Sequence, residues 1–461
     1  MLTYELKKSP GVPLYEALYR CIRGDILSGI LAPGQKLPSK RALAENLEVS
    51  KITVETAYNQ LLAEGYIASR EKVGYFVEAL ERQHPARVPL GTPEEAPPEP
   101  VLDLTGSGTV RFPFSVWTKL QREVMLDYGQ QLLLPMPNQG VLELRRAISR
   151  HLADFRGLYA PAENILVGAG TDFLYNLLIQ LLGRDLVYAV EEPGYGKIRK
   201  IYAAGGVRCV SAPLDDKGVR PDSLGQARVL HISPSHHFPT GLVTPVSRRA
   251  ELLAWAREQD SYIIEDDYDS EFRFHAHPMP AMQSMDRSGR VIYMNSFSKT
   301  LAPSIRISYM VLPEELMARF RRKLGFYSCT VPSFEQYTLA RFLSLGHFEK
   351  HINRMRKFYR ARRNRVVELL EGCPFADRLT ILEQDAGLHF LLKIHTELSD
   401  RDLTEALLAS GIRIHALSHY YQESDMDTHM LVVNYALLNE DDLAKALENL
   451  KSGIDKDFSS C

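Results

Sequence analysis

The sequence predicts an α/β protein in two parts: a small N-terminal unit of three helices and a strand hairpin, and a large unit built on a mostly parallel sheet. Three observations carry this reading. Residues 81–101 form a stretch rich in proline and glutamate with almost no large apolar side chains. Ahead of it, apolar residues recur at helical spacing in three blocks; beyond it, short apolar runs alternate with helical patterns. At 461 residues the chain is too long for one compact core.

Residues 81–101 are a linker. Pro85, Pro89, Pro93, Pro97, Pro98 and Pro100 fix φ and remove backbone donors, which makes such a segment an extended spacer. It separates residues 1–80 from residues 102–461. In the small part, Leu14, Ala17, Leu18, Cys21, Ile22 and Leu27 predict an amphipathic helix over 13–29 that stops near Gly29. Ser39 is the N-cap of a second helix with Leu43 and Leu47 inward, and Ser50 that of a third over 51–64. Val54, Ala57, Leu61 and Leu62 form the inner stripe of the third helix, leaving Lys51, Thr53, Thr56 and Asn59 outside. Residues 66–77 predict two short strands around a polar turn.

Three helices and a hairpin are the parts of a winged helix-turn-helix, whose third helix enters the major groove. The strings Leu37-Pro38-Ser39-Lys40-Arg41-Ala42-Leu43-Ala44, Val49-Ser50-Lys51-Ile52-Thr53-Val54 and Ala63-Glu64-Gly65-Tyr66-Ile67 resemble the GntR family of transcription regulators. The resemblance implies that Arg41 reaches a guanine edge and that Ser50, Lys51 and Thr53 meet phosphates or bases. By the same resemblance Gly74 lets the wing approach the DNA backbone. Ten basic against nine acidic residues over 1–80 give a net charge of +1, so composition alone favours a plain helical or protein-interaction module.

Whole-chain composition excludes other classes. Lys+Arg of 55 against Asp+Glu of 57 leaves a net charge of −2 with 45% hydrophobic residues, which excludes a uniformly basic nucleic-acid binder and a disordered acidic protein. The apolar stretch Phe173–Leu182 carries Asn176 and Gln180 and falls short of the ~20 residues of a membrane span. The N-terminus, with Glu5, Lys7 and Lys8, lacks a signal-peptide core. Five scattered cysteines without a C-x-x-C pair argue against disulfides and against a zinc site, and no other metal site is expected. A reduced, cytoplasmic, membrane-free protein is the expectation.

In the large part, strands are predicted at 165–167, 186–190, 229–232, 262–265, 291–294 and 307–312, with helices at 172–182 and 246–259. This is the pattern of a mostly parallel sheet covered on both faces, which binds ligands at its carboxyl edge. After the first run comes Gly168-Ala169-Gly170-Thr171-Asp172, opening a helix whose free N–H groups suit a phosphate. After Glu265 comes Asp266-Asp267-Tyr268, and after Met294 comes Asn295-Ser296-Phe297-Ser298-Lys299, with Arg306 seven residues on. Each motif alone is common. Together they supply what pyridoxal 5'-phosphate requires: an amine for a Schiff base, a carboxylate for the ring nitrogen and a phosphate cradle.

With Gly140-x-x-x-Leu144-Arg145 and Phe238-Pro239-Thr240-Gly241, residues 102–452 are similar to the fold-type I aminotransferases, with a large α/β sheet domain and a small α+β C-terminal domain. The resemblance implies Lys299 as the Schiff-base lysine, Asp266 on the pyridine nitrogen, Tyr268 on the phenolic oxygen and Tyr195 stacked on the ring. It assigns Gly170, Thr171, Ser296 and Arg306 to the phosphate. Looser strands and helices at 388–393, 403–408, 430–434 and 440–450 match the small domain. The strings Ser233–Gly241 and Ile264–Phe272 resemble one family over nearly the whole chain, the MocR/GabR-type regulators, in which a GntR head is joined to an aminotransferase-like body.

That family implies a homodimer that binds a double-stranded DNA operator and senses a small amino-group-bearing effector or the cofactor itself. Some positions depart from the pattern. Met430–Ala436 holds no arginine to grip a substrate carboxylate, Lys197 stands where the GABA-responsive regulator has an arginine, and Ser233, His237 and Ser304 replace a common threonine, glutamine and glycine. A working aminotransferase with an accessory module, and an inert scaffold, remain the other readings, because turnover does not follow from these residues.

Overall fold

The chain divides into two compact units, Met1–Pro97 and Pro98–Cys461. The computed structural model describes residues 2, 4, 13–71, 73–79, 102–106, 111–273, 279–373, 376–382, 387–409, 411–422, 426–436 and 438. The expected linker and the expected helix at 440–450 lie outside the described residues.

In the small unit, helix α1 (Leu14–Ser28) buries Leu18, Tyr19, Ile22 and Ile26 and ends at Gly29, whose φ of 82° favours glycine. Ile26 rather than Leu27 faces inward, because four residues after Ile22 return to the same face while five overshoot it. Helix α2 (Lys40–Asn46) starts at Ser39, whose hydroxyl accepts the Ala42 N–H at 3.1 Å. Helix α3 (Lys51–Ala63) starts at Ser50 in the same way, with the Thr53 N–H at 3.1 Å. Its inner face holds Val54, Ala57 and Leu61, together with Tyr58, a fully buried ring whose hydroxyl donates to Pro38 O at 3.0 Å. Strands β1 (Ile67–Arg70) and β2 (Gly74–Val77) pair antiparallel, Ile67 opposite Val77, and these two side chains join the helical core.

The large unit runs β3 (Leu102–Asp103), α4 (Phe114–Tyr128), α5 (Leu142–Arg156), β4 (Ile165–Gly168), α6 (Thr171–Leu182), β5 (Val187–Glu192), α7 (Gly196–Ala204), β6 (Arg208–Asp215) and β7 (Gly218–Val219). It continues through β8 (Val229–Ile232), α8 (Val246–Glu258), β9 (Tyr262–Asp266), α9 (Met282–Met285), β10 (Val291–Ser296), β11 (Ser308–Val311), α10 (Glu314–Lys323), α11 (Ser333–Ser344) and α12 (His347–Glu371). The small C-terminal part comprises β12 (Leu379–Leu382), β13 (His389–Ile394), α13 (Asp400–Ala409), β14 (Ile412–Arg413), β15 (His415–Ala416) and β16 (Met430–Asn434).

Eight strands form one sheet in the order β4-β11-β10-β9-β8-β5-β6-β7. Neighbours from β10 to β6 are parallel, while β11 runs against both β10 and β4. Alternation along each strand splits the core. Ile165, Val167, Tyr293, Tyr309 and Val311 pack toward α5 and α11, and Leu166, Ile292, Met294 and Met310 toward α6 and α10. All six predicted strands are present. Strand β6 was not predicted, because Arg208, Ser211, Pro213 and Asp215 interrupt its apolar content and only Ala212 is fully buried. The small part is an antiparallel sheet, β12-β13-β16-β15, packed with α12 and α13. The opening strand β3 docks on β14, so the first residues of the large unit are tied to its last domain.

Candidate functional site

The carboxyl ends of β4, β5, β8, β9 and β10 share one edge of the sheet, and the chemically interesting residues gather there. Asp266 closes β9 and is buried. Its Oδ2 accepts the Tyr175 hydroxyl from α6 and lies 3.4 Å from His231 Nε2 on β8. A carboxylate only accepts, so His231 presents Nε2–H, and its Nδ1 takes the Tyr202 hydroxyl at 2.7 Å. Asp266 Oδ1 is buried with no hydrogen-bond partner, and no lysine or arginine pairs with this carboxylate among the described residues. Burial, then the Asp266 charge, pushes the Tyr175 phenol well above its ordinary value.

A second group forms at the start of α6. Gly170, at φ 90°, is the N-cap residue, and a Cβ there would run into the Arg306 guanidinium folded over it. Arg306 itself adopts φ 51°, uncommon for a residue with a side chain. Its Nη2 lies 3.5 Å from Ala169 O and 3.4 Å from Asp172 Oδ2, which also takes Lys197 Nζ at 2.7 Å. Thr171 begins the helix, half-buried. Two cations therefore already stand beside free helix N–H groups, a ready anion site.

Ser296 closes β10, its hydroxyl donating to Ser298 Oγ at 2.9 Å, and Lys299 follows in the next turn. Burial pushes the Lys299 amine below the ordinary lysine value, and the Asp269 charge pulls it back up. Tyr268 points its hydroxyl 3.2 Å from His236 Nδ1, and burial, then the charges of Asp269 and Asp266, raise its phenol well above normal. The structure thus brings Asp266, Tyr268, Ser296 and Lys299 to adjacent strand ends and Gly170, Thr171 and Arg306 to one helix start. Tyr195, the N-cap residue of α7, is 53% exposed and edge-on to Phe238 at 6.0 Å.

Several residues of this edge were not singled out from the sequence. Glu191, at the end of β5, accepts the Ser233 N–H at 2.9 Å and lies 3.6 Å from His237 Nε2. Burial pushes Glu191 up to about 8 and His237 down to about 3, so the two meet as neutral groups near pH 7. His389 on β13 lies against His236 with ring centroids 4.9 Å apart and the rings tilted by 46°, and burial drives it well below the ordinary histidine value. His231, a polar residue inside the apolar run Val229–Ile232, was the one available signal.

In the head, Arg41 projects from α2 with an 85% exposed side chain paired with Glu45 at 2.9 Å. Lys51 is exposed at the start of α3, with no hydrogen bond or ion pair among the described residues. The Ser50 and Thr53 hydroxyls are 2.8 Å apart and engaged in the cap. Gly74, at φ 132°, packs against the Lys36 side chain.

Residues 14–77 match the family described as bacterial regulatory proteins, gntR family. The sequence is 37% identical over 459 residues to the uncharacterized HTH-type transcriptional regulator YdeL of Bacillus subtilis, covering 98% of this chain and 99% of that protein. It is 32% identical to the probable rhizopine catabolism regulatory protein MocR of Rhizobium meliloti, covering 97% of this chain and 95% of the relative. Identity is also 32% with the pyridoxine biosynthesis transcriptional regulator PdxR of Corynebacterium glutamicum, over 94% of each chain. The fold is similar to that of Pyrococcus horikoshii kynurenine aminotransferase, with a TM-score of 0.70 at 24% identity over 78% of this chain and 92% of that one. Among the described residues no helix is long and apolar enough to cross a membrane. A gntR-type helix-turn-helix on an aminotransferase-fold body makes this a DNA-binding transcription regulator rather than a plain aminotransferase. The chain belongs to the MocR-type regulators of the GntR family.

Proposed function

We propose that this regulator binds pyridoxal 5'-phosphate at the carboxyl edge of the large sheet and there senses a small amino-group-bearing effector, or the cofactor itself. In this reading residues 1–80 are the DNA-binding domain, 81–101 the linker and 102–461 the sensing body of a cytoplasmic homodimer. The observation that carries it is Asp266 Oδ1, a buried carboxylate oxygen that has no partner among the described residues, on a carboxylate that none of their lysines or arginines pairs with. An uncompensated buried charge is costly, and a protonated ring nitrogen is the partner it lacks.

When bound, the cofactor supplies an aldehyde that condenses with an amine and a ring that draws electrons from the bond formed. Lys299 offers its amine, whose charged form burial disfavours. Asp266 would hold a proton on the ring nitrogen, with Tyr175 and His231 fixing its Oδ2. Tyr268 would donate to the phenolic oxygen. Gly170, Thr171, Ser296 and Arg306 would hold the phosphate, and Tyr195 would cover the ring. Strand β16 carries no arginine and so offers no clamp of that kind for an effector carboxylate, while the small domain brings His389 against His236 at this edge. In the head, Arg41, Ser50, Lys51, Thr53 and Gly74 would meet operator DNA.

An absorbance spectrum of the purified protein with added pyridoxal phosphate tests this. A band near about 420 nm that Lys299→Ala abolishes is expected for the lysine adduct. No band, or a band unchanged in the variant, overturns the cofactor reading. Rapid multiple turnover of amino acids with keto acids would overturn the sensor role in favour of an enzyme.

A further inference from the structure

Helix α12 concentrates positive charge. From Lys350 to Val367 it holds eight lysines and arginines and no aspartate or glutamate. Three of the eight are engaged inside the fold. The Arg356 Nε donates to Glu271 O at 2.5 Å with its guanidinium over the Phe155 ring, Arg362 lies over Phe358, and Arg363 is buried beside Asn364. The other five, Lys350, Arg354, Lys357, Arg360 and Arg365, are exposed. Lys350, Arg354 and Lys357 stand at i, i+4 and i+7 on a single face. At 1.5 Å per residue the five span about 22 Å along the helix. The exposed positions among them are Asn353, Ala361 and Asn364, so no carboxylate of α12 interrupts the row. Lys350 and Lys357 have no hydrogen bond or ion pair among the described residues. The Arg354 Nε donates to Lys350 O at 3.2 Å, and Arg365 meets Glu368 at 3.4 Å at the far end.

Other surface helices of the chain balance their charges at this spacing. Arg20 pairs with Glu16 on α1, Arg41 with Glu45 on α2 and Arg401 with Glu405 on α13, each four residues apart. Opposite charges so placed support a helix, and like charges weaken it. Helix α12 carries the unfavourable arrangement at Lys350–Arg354 and again at Arg354–Lys357. A row of phosphates would relieve it.

We propose that the exposed face of α12 is a second DNA-contacting surface, on the aminotransferase-like body, which holds backbone phosphates without reading sequence. DNA is the polyanion this regulator already meets through its gntR-type head. That head, at a net +1 over residues 1–80, brings little charge of its own. Duplex DNA offers one phosphate per about 3.4 Å along each strand, so the row runs the length of about six of them. Phosphate contacts fix position and add salt-dependent affinity, while the choice of bases stays with the head. None of this depends on a bound cofactor.

The test is the salt dependence of DNA binding by the full-length protein carrying Lys350→Gln, Arg354→Gln and Lys357→Gln together. Three lost phosphate contacts should reduce the slope of log K against log salt by about 2.7. The reduction should be equal on the protein's own upstream DNA and on a scrambled duplex of the same length, because phosphates carry no sequence. With the mutual repulsion removed, the variant should melt no lower than the parent. Lys357→Gln alone should reduce the slope by about 0.9 and gives the same reading should the triple variant fold poorly. A control with Lys119→Gln, Arg208→Gln and Lys217→Gln, exposed cations elsewhere on the body, has the same net charge and should change the slope by less than about 1. An unchanged slope in the α12 variants, or an equal fall in the control, overturns the proposal. So does an unchanged slope accompanied by lost binding to phosphatidylserine vesicles, which would give the face to a membrane, or by lost self-association on gel filtration, which would give it to a second copy of this chain.

Discussion

Asp266 and Asp267 are consecutive residues at the end of β9, and they live in opposite electrostatic conditions. Asp267 Oδ2 faces the buried Arg156 guanidinium at 2.9 Å and accepts the Tyr293 hydroxyl at 2.6 Å and Ser270 Oγ at 2.9 Å. Arg156 in turn donates to Met279 O and Ser235 Oγ, knitting α5 to two loops. Asp266, on the other face, has a tyrosine and a histidine but no lysine or arginine among the described residues. Glu191 on β5 is a third case, balanced by a proton because burial raises its carboxyl to about 8. One sheet edge thus holds a carboxyl compensated by a cation, one by a proton, and one left open. The difference separates architecture from binding: a charge balanced within the chain holds the fold, and a charge left unbalanced awaits a ligand.

The largest effect should come from breaking the balanced pair. Arg156→Ala strands a fully buried carboxylate and should cost about 3–5 kcal/mol in denaturant unfolding. Asp266→Asn keeps an acceptor for Tyr175 and should change stability by no more than about 1 kcal/mol while abolishing retention of pyridoxal phosphate on gel filtration. Equal stability losses in the two variants would break the distinction.

Glu191 sharpens it through pH. Its folded value near 8 lies above the ordinary 4.5, so its contribution to stability is fully present below 4.5 and is lost as pH rises through about 8. Glu191→Gln cannot lose a proton. Its melting temperature should therefore gain on the parent's between pH 5 and about pH 8 and level off above, and a constant difference would show that Glu191 titrates normally.

How far such roles could be read beforehand depended on how local their signals were. Ser39, Ser50 and Gly29 mark helix ends within one turn of chain, so the head was legible almost element by element. The strand-end places of Lys299, Asp266 and Tyr268 were legible because each follows an apolar run. The support for Asp266 was not, since Tyr175 and His231 lie 91 and 35 residues away and meet it only through strand order and the packing of α6. Nor was the division of labour in Asp266-Asp267, because the alternation that sends one carboxylate to each face does not say which face holds Arg156. Tyr195 was assigned by the family resemblance, and its ring is half-exposed at the start of α7.

The same contrast recurs at small scale in the head, where Ser50 and Lys51 are again neighbours. The Ser50 hydroxyl is occupied by the Thr53 N–H and Thr53 Oγ1, while the Lys51 amine has no hydrogen bond or ion pair among the described residues. Ser50→Ala should lower the stability of the head by about 1 kcal/mol, the usual cost of an N-cap, and should weaken DNA binding only as far as α3 frays. Lys51→Ala should leave the melting temperature unchanged. Its loss should appear instead in operator affinity, and the slope of log K against log salt should fall by about 1, because one phosphate contact releases about one counterion. A Lys51→Ala protein that melts earlier yet keeps its salt slope would place this lysine among the balanced, structural charges, with Asp267 rather than Asp266.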